Sequence, residues 1–222
     1  MLDFGANIGD FTVKAALMLN GKGRIIAIEP SHDNVNILKT NLELNNIKNV
    51  DVFEIGISDH DGFVNLEGGG AVSSQLKSEG TGDGERVKAY SIDTFLEEAG
   101  LTNENNLVVK MDIEGSEKYA FKSANFINKI REISMELHGR ENIGTIPMVL
   151  EHNGFMVSTY STSDEIKESL KSVIHHPLDF YRLERQSNYV ALRGLFGVTR
   201  GKNPIPSLSD SEFKIIYASR IV

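Results

Sequence analysis

Four short runs of branched apolar residues alternate with helical patterns over the first two-thirds of the chain. They are GRIIAIEP (Gly23 to Pro30), VDVFEIGIS (Val50 to Ser58), NLVVKMDIEG (Asn106 to Gly115) and REISMELHG (Arg131 to Gly139). Each closes on polar or glycine-containing sequence, as a buried strand does where its loop begins. Between them FTVKAALML, NVNILKTNLELN and SEKYAFKSA carry helical spacing. In the second of these Val35, Leu38 and Leu42 share one face, and Asn45 or Asn46 can end the helix. Strands that alternate with helices predict a parallel sheet covered on both faces, joined by right-handed crossovers. Nearer the end, GFMVSTYS and SNYVALRG read as two further strands, the last one antiparallel.

At 222 residues with 40% apolar content the chain is long enough for one domain with a sizeable core. Its formal charge of −8 disfavours generic nucleic-acid binding, which needs a basic surface. There is no cysteine, so disulfides, thiolate catalysis and cysteine zinc sites are excluded. No apolar run reaches the length of a membrane span and no signal peptide is visible, which makes a cytoplasmic location the default expectation. The stretch from Gly68 to Gly84 holds six glycines in seventeen residues and is expected to be a loop between GFVNLE and ERVKAYSI, either padding or a lid.

Chemistry is concentrated at the turns. MLDFGANIGD reads as a strand turning into a helix around a ligand. Gly5 and Gly9 are expected to let backbone approach that ligand, with free N–H groups at the helix start. The spacing lacks the middle glycine of G-x-G-x-x-G, which weakens a nicotinamide dinucleotide reading. Asp3 could attract an ammonium and is a poor neighbour for pyrophosphate. Glu29 closes the next strand, where a carboxylate can accept both hydroxyls of a ribose. A ligand with a ribose, a cationic group and no diphosphate fits S-adenosylmethionine.

On these segments the chain resembles the FkbM-type methyltransferases, a branch of the class I S-adenosylmethionine-dependent enzymes. LDFGANIGDFT, IAIEPSHDNVNILKTNLELNNIKNV, GISDHDGFVNL, YSIDTFL and VVKMDIEGSEKYAFKSA occur in family order from Leu2 to about Leu137. The resemblance implies an α/β class I methyltransferase (Rossmann-like) fold: a doubly wound, mostly parallel seven-stranded sheet with its last strand antiparallel. It implies methyl transfer to oxygen as the usual chemistry. Asp3, Gly5, Ala6, Asn7 and Gly9 match the cofactor loop, and Glu29 the ribose acid. Ser58 and Asp59 match a position near the adenine, or form an ordinary turn. The domain is expected over residues 1–200, followed by a C-terminal tail, 201–222, that packs back on it or against a partner. Only Met1 and Leu2 precede Asp3, so either the natural N-terminus is missing or the first strand is short.

Asp112 and Glu114 end one strand and Glu136 and His138 the next. Each pair is two residues apart and so on one side if strand geometry persists. His138 is read as the base that deprotonates an alcohol acceptor, with Asp112 orienting cofactor or acceptor. Glu114 is a candidate alongside, or a cap for the following helix. A second reading gives Asp112, Glu136 and His138 to a divalent ion such as Mg²⁺. The adjacent His175 and His176 and the residues Tyr160, Tyr181 and Tyr189 are weaker candidates. The favoured function is O-methylation of a small-molecule or glycan hydroxyl, with no nucleic acid and no membrane as partner. RNA methylation and a non-catalytic cofactor-binding subunit are the alternatives.

Overall fold

A computed structural model describes residues 1–67, 75–77, 84–160 and 213–220. The main sheet has seven strands in the order β10-β11-β9-β8-β1-β2-β3. These are β1 (Leu2–Phe4), β2 (Ile25–Ile28), β3 (Val50–Phe53), β8 (Leu107–Met111), β9 (Ile130–His138), β10 (Phe155–Tyr160) and β11 (Phe213–Arg220). β1 runs parallel to β2 and β8, β2 to β3, and β8 to β9, whereas β11 is antiparallel to both its neighbours. The expected doubly wound, mostly parallel sheet with one reversed strand is therefore present. β1 has three residues, all buried, and every residue of β2 is buried as well. Continuous burial is what helices on both faces of a parallel sheet produce.

The helices are α1 (Asp10–Leu19), α2 (His32–Leu44), α3 (Ile92–Glu98), α4 (Glu117–Ala120), α5 (Ala124–Lys129) and α6 (Arg140–His152). α2 buries Val35, Leu38 and Leu42 as the spacing predicts, and Asn46 follows its C-cap Asn45 with φ 55°. The expected helix SEKYAFKSA is instead two short ones. Ser123 interrupts it by accepting the Phe126 N–H and capping α5. Phe4 of β1 meets Phe95 and Phe126 edge-on at ring-centre distances of 5.4 and 5.9 Å, which locks α3 and α5 beneath the centre of the sheet.

Two expectations are corrected. VDVFEIGIS is not one strand. After β3 the chain leaves for a second sheet, β4-β7-β5-β6, made of β4 (Gly56–Ile57), β5 (Gly62–Glu67), β6 (Gln75–Lys77) and β7 (Glu85–Tyr90). Val64, Leu66, Val87 and Ala89 form its buried face. Within the glycine-rich stretch, residues 75–77 are thus a strand paired to β5 rather than loop. The rest of that stretch up to residue 83 lies outside the described residues, as do SNYVALRG, His175, His176, Tyr181 and Tyr189.

Within the segment expected as a tail, Phe213–Arg220 form β11, between β9 and β10. Ile216 and Ala218 are fully buried there. Arg220 fastens its end, donating to the carbonyls of Ile130, Asn153 and Ile127 at 2.8–2.9 Å while lying over the Phe155 ring. No helix among the described residues is long and apolar enough to cross a membrane.

Candidate active site

The candidate residues gather at the carboxyl ends of β1, β2, β8 and β9, the place where open parallel sheets bind ligands. Gly5, Asn7 and Gly9 have φ of 74°, 50° and 94°, so the β1–α1 turn is left-handed at three points. The reason for Gly5 is internal. A Cβ there would stand 1.7 Å from the carbonyl oxygen of Asp112 on the neighbouring strand end. A Cβ on Gly9 would meet Leu38 Cδ1 of α2 at 2.4 Å. These glycines let the turn pack against Asp112 and α2.

The N–H groups of the turn itself are engaged within the protein. Gly5 and Ala6 donate to Ile28 O, Asn7 to Glu29 Oε2, Ile8 to the Asn7 side chain and Gly9 to Ala6 O. No N–H of residues 5–9 is left for a ligand, whereas the first turn of α1, from Asp10, has no side-chain cap over its N–H groups. Ala6 is buried against Ala27, Leu38 and Leu42.

Asp3 is fully buried. Thr12 donates to its Oδ2, and Lys110 Nζ lies 3.3 Å from its Oδ1 while donating to Gly5 O at 2.8 Å. The carboxylate has no exposed surface. It ties β1, α1 and β8 under the turn.

Glu29 follows β2 and is buried, its Oε1 accepting from Ser31 N–H and the Asn34 amide and its Oε2 from Asn7 N–H. A carboxylate offers about four acceptor positions, so one remains on Oε2. Asn34, buried on α2, has no signal in the sequence beyond a helical position next to the apolar stripe. Ser58 is buried after β4 and donates to Asp59, which is exposed and paired with His60 at 2.8 Å. That hydrogen bond, foremost, holds the Asp59 carboxyl below its ordinary range. Asp61, not Asp59, ties the turn to α3, accepting from the Ser91 N–H and the Thr94 hydroxyl, while Ser91 itself caps the helix.

The other side of the cleft is a crowd of charge. β8 ends at Met111, and Glu114 has φ 51° and Gly115 φ 100°. Strand alternation therefore does not align Asp112 with Glu114. The left-handed turn does, at a backbone cost of about 1–2 kcal/mol for Glu114. One ligand-type atom each from Asp112, Glu114 and His138 lies within 4.8 Å of the others. On β9 the alternation holds, and Glu136 and His138 share a side. His138 Nε2 stands 3.6 Å from Glu114 and 3.9 Å from Glu136. Burial pushes Glu136 up to about 7, with the Asp112 charge adding and His138 opposing. Burial likewise raises Glu114, helped by Asp112 and Glu117. Burial alone would lower His138, but the Glu117 hydrogen bond and the surrounding carboxylates raise it on balance. Asp112 Oδ1 is buried without a hydrogen-bond partner among the described residues.

Two members were missed in the sequence. Glu117, in the first turn of α4, is fully buried and reads in sequence as an ordinary helix-start acid. It accepts from Gly115 N–H, which is the capping bond expected of Glu114, and also meets His138 Nδ1 at 2.9 Å. Asn142 of α6 donates to Glu117 Oε2 at 2.6 Å and reads in sequence as surface.

A family model described as the methyltransferase FkbM domain matches residues 3–160. No curated protein matches the chain. Among solved structures it is similar to a precorrin-6y C5,15-methyltransferase from Geobacter metallireducens, with 13% identity, TM-score 0.48, and 99% of this chain and 80% of that one covered. It is similar to an rRNA methylase from Streptococcus thermophilus, with 8% identity, TM-score 0.48, and coverage of 100% and 86%. It is also similar to a SAM-dependent O-methyltransferase from Thermotoga maritima, with 10% identity, TM-score 0.47, and coverage of 100% and 58%.

Proposed function

The chain belongs to the FkbM methyltransferase family and is an S-adenosylmethionine-dependent enzyme, and we propose that its acceptor is a hydroxyl of a small molecule or glycan. The observation that carries this reading is the convergence of Asp112, Glu114, Glu136 and His138 beside the Gly5 turn. When bound, S-adenosylmethionine supplies an electrophilic methyl carbon on a sulfonium. The turn from Gly5 to Gly9 holds it on one side, and the remaining acceptor position of Glu29 takes a ribose hydroxyl. Ser58 and Asp59 border the adenine end.

An alcohol must lose its proton to become a nucleophile, and His138 Nε2 is the proton acceptor in the cleft. Glu136, pushed up to about 7, can then relay the proton toward solvent. Asp112, with its buried unpartnered Oδ1, orients the acceptor. In-line displacement rewards such positioning.

The carboxylates crowded around one imidazole repel a phosphate backbone, which favours a neutral polyol over RNA. A divalent ion is a second reading, on the trio Asp112, Glu114 and His138 rather than the expected set with Glu136.

The test is incubation with methyl-labelled S-adenosylmethionine and a panel of sugars, polyols, phenols and bulk RNA, with and without EDTA. Label on an oxygen of a small hydroxyl compound, unaffected by EDTA, is expected. Label on RNA overturns the acceptor class, and loss with EDTA that Mg²⁺ restores moves the deprotonating role to a metal.

A further inference from the structure

The buried carboxylate of Glu117 is not needed to cap a four-residue helix, yet it sits at the centre of three segments. Oε1 lies 2.9 Å from His138 Nδ1 and accepts from Gly115 N–H at 3.1 Å. Oε2 accepts from the Asn142 amide at 2.6 Å, and the same amide nitrogen reaches His138 O at 2.9 Å. The β8–α4 turn, the end of β9 and the start of α6 thus meet at one carboxylate with no exposed surface. Both oxygens already accept from N–H donors, so the proton in the contact with the imidazole is assigned to Nδ1.

We propose that Glu117 is a positioning residue that holds His138 as the Nδ1–H tautomer, leaving Nε2 as the ring atom that takes up a proton in the cleft. The proposal rests on the reading of His138 as proton acceptor and adds the group that makes it one. The same logic operates wherever a buried acid orients a catalytic imidazole: the acid fixes ring orientation and tautomer, and the far nitrogen does the chemistry. Asn142 keeps the acid in place from the other side. Without Glu117 the neutral ring is free to carry its proton on Nε2, where it can no longer accept one.

The test is a ¹⁵N spectrum of the histidine ring nitrogens in the intact protein, at alkaline pH where the ring is neutral, with His138 assigned by comparison with His138→Gln. The expected wild-type pattern is a protonated Nδ1 and a bare Nε2. Glu117→Ala is expected to shift the ring toward the Nε2–H form while S-adenosylhomocysteine, titrated calorimetrically, binds within about threefold of wild type. A bare Nδ1 in wild type, or an unchanged tautomer in Glu117→Ala, overturns the proposal. If that variant does not fold, the wild-type spectrum decides alone. Failure of the proposed function reads differently, as no label transferred to any hydroxyl acceptor, and leaves the ring spectrum untouched.

Discussion

The two walls of the cleft are built on opposite electrostatic plans. At the ends of β1 and β2, Asp3 and Glu29 are each met by donors from neighbouring segments, and every N–H of residues 5–9 has a partner inside the protein. At the ends of β8 and β9, Asp112, Glu114, Glu117 and Glu136 surround one imidazole, and burial raises Glu114 and Glu136. Pairing polar groups in advance makes a rigid receptacle that needs no rearrangement when a ligand arrives. Crowding carboxylates with little solvent leaves proton affinity to be used, which is the condition of an acid–base site. On the proposed function, one wall holds and the other reacts.

That contrast can be broken by four measurements, the largest effect first. Gly5→Ala forces a Cβ into the Asp112 carbonyl at a left-handed position, and should cost about 3–5 kcal/mol in denaturant unfolding. A loss below about 1 kcal/mol would mean that the two walls are not packed rigidly together. His138→Gln should lower methyl transfer about 100-fold or more while S-adenosylhomocysteine affinity stays within about twofold. Equal losses in both would put His138 on the holding wall.

Glu29→Ala should do the reverse. It should weaken S-adenosylhomocysteine binding by about 1.5–3 kcal/mol, or roughly 10- to 150-fold, by losing a charged acceptor and freeing Asn7, Ser31 and Asn34. An unchanged affinity would remove it from the ligand site.

The smallest effect is in pH. Glu136 has its folded value raised from 4.5 to about 7, so between those values the folded state binds more protons than the unfolded one and stability falls as pH rises. His138, raised as well, continues the fall above 6.5. Because the Glu136 side chain is 38% exposed, solvent screening discounts its full linkage value, and Glu136→Gln should gain about 1 kcal/mol at pH 8 while flattening the slope below 7. A variant that keeps the wild-type slope would show that the crowding does not perturb Glu136.

How much of this was legible in the chain differs by wall. On the holding wall, the strand-turn-helix and its acid 20 residues later were readable, because turn glycines and a carboxylate ending a branched strand are local signals. What Gly5 avoids was not readable, since Asp112 is over a hundred residues away and meets it only when β8 pairs with β1. On the reacting wall, Glu136 and His138 were aligned by strand alternation alone. Asp112 and Glu114 come together through a left-handed turn that alternation does not describe. β11 escaped notice as a strand because its place in the sheet depends on pairing with β9 and β10 and on Arg220 reaching three distant carbonyls.

By itself the sequence determined the period of the elements, hence a parallel sheet with helices on both faces, and the residue types at each strand end. These follow from backbone geometry and side-chain burial, which are properties of neighbours along the chain. Only the tertiary structure decided which of the acids are sealed and which are crowded. Asp3 within a strand and Glu117 at a helix start carry no mark of their burial in the sequence, and both are wholly buried because partners from other strands and helices close over them. A carboxylate's chemistry depends on how many donors and how much solvent surround it, and those are set by segments that the chain brings together only on folding.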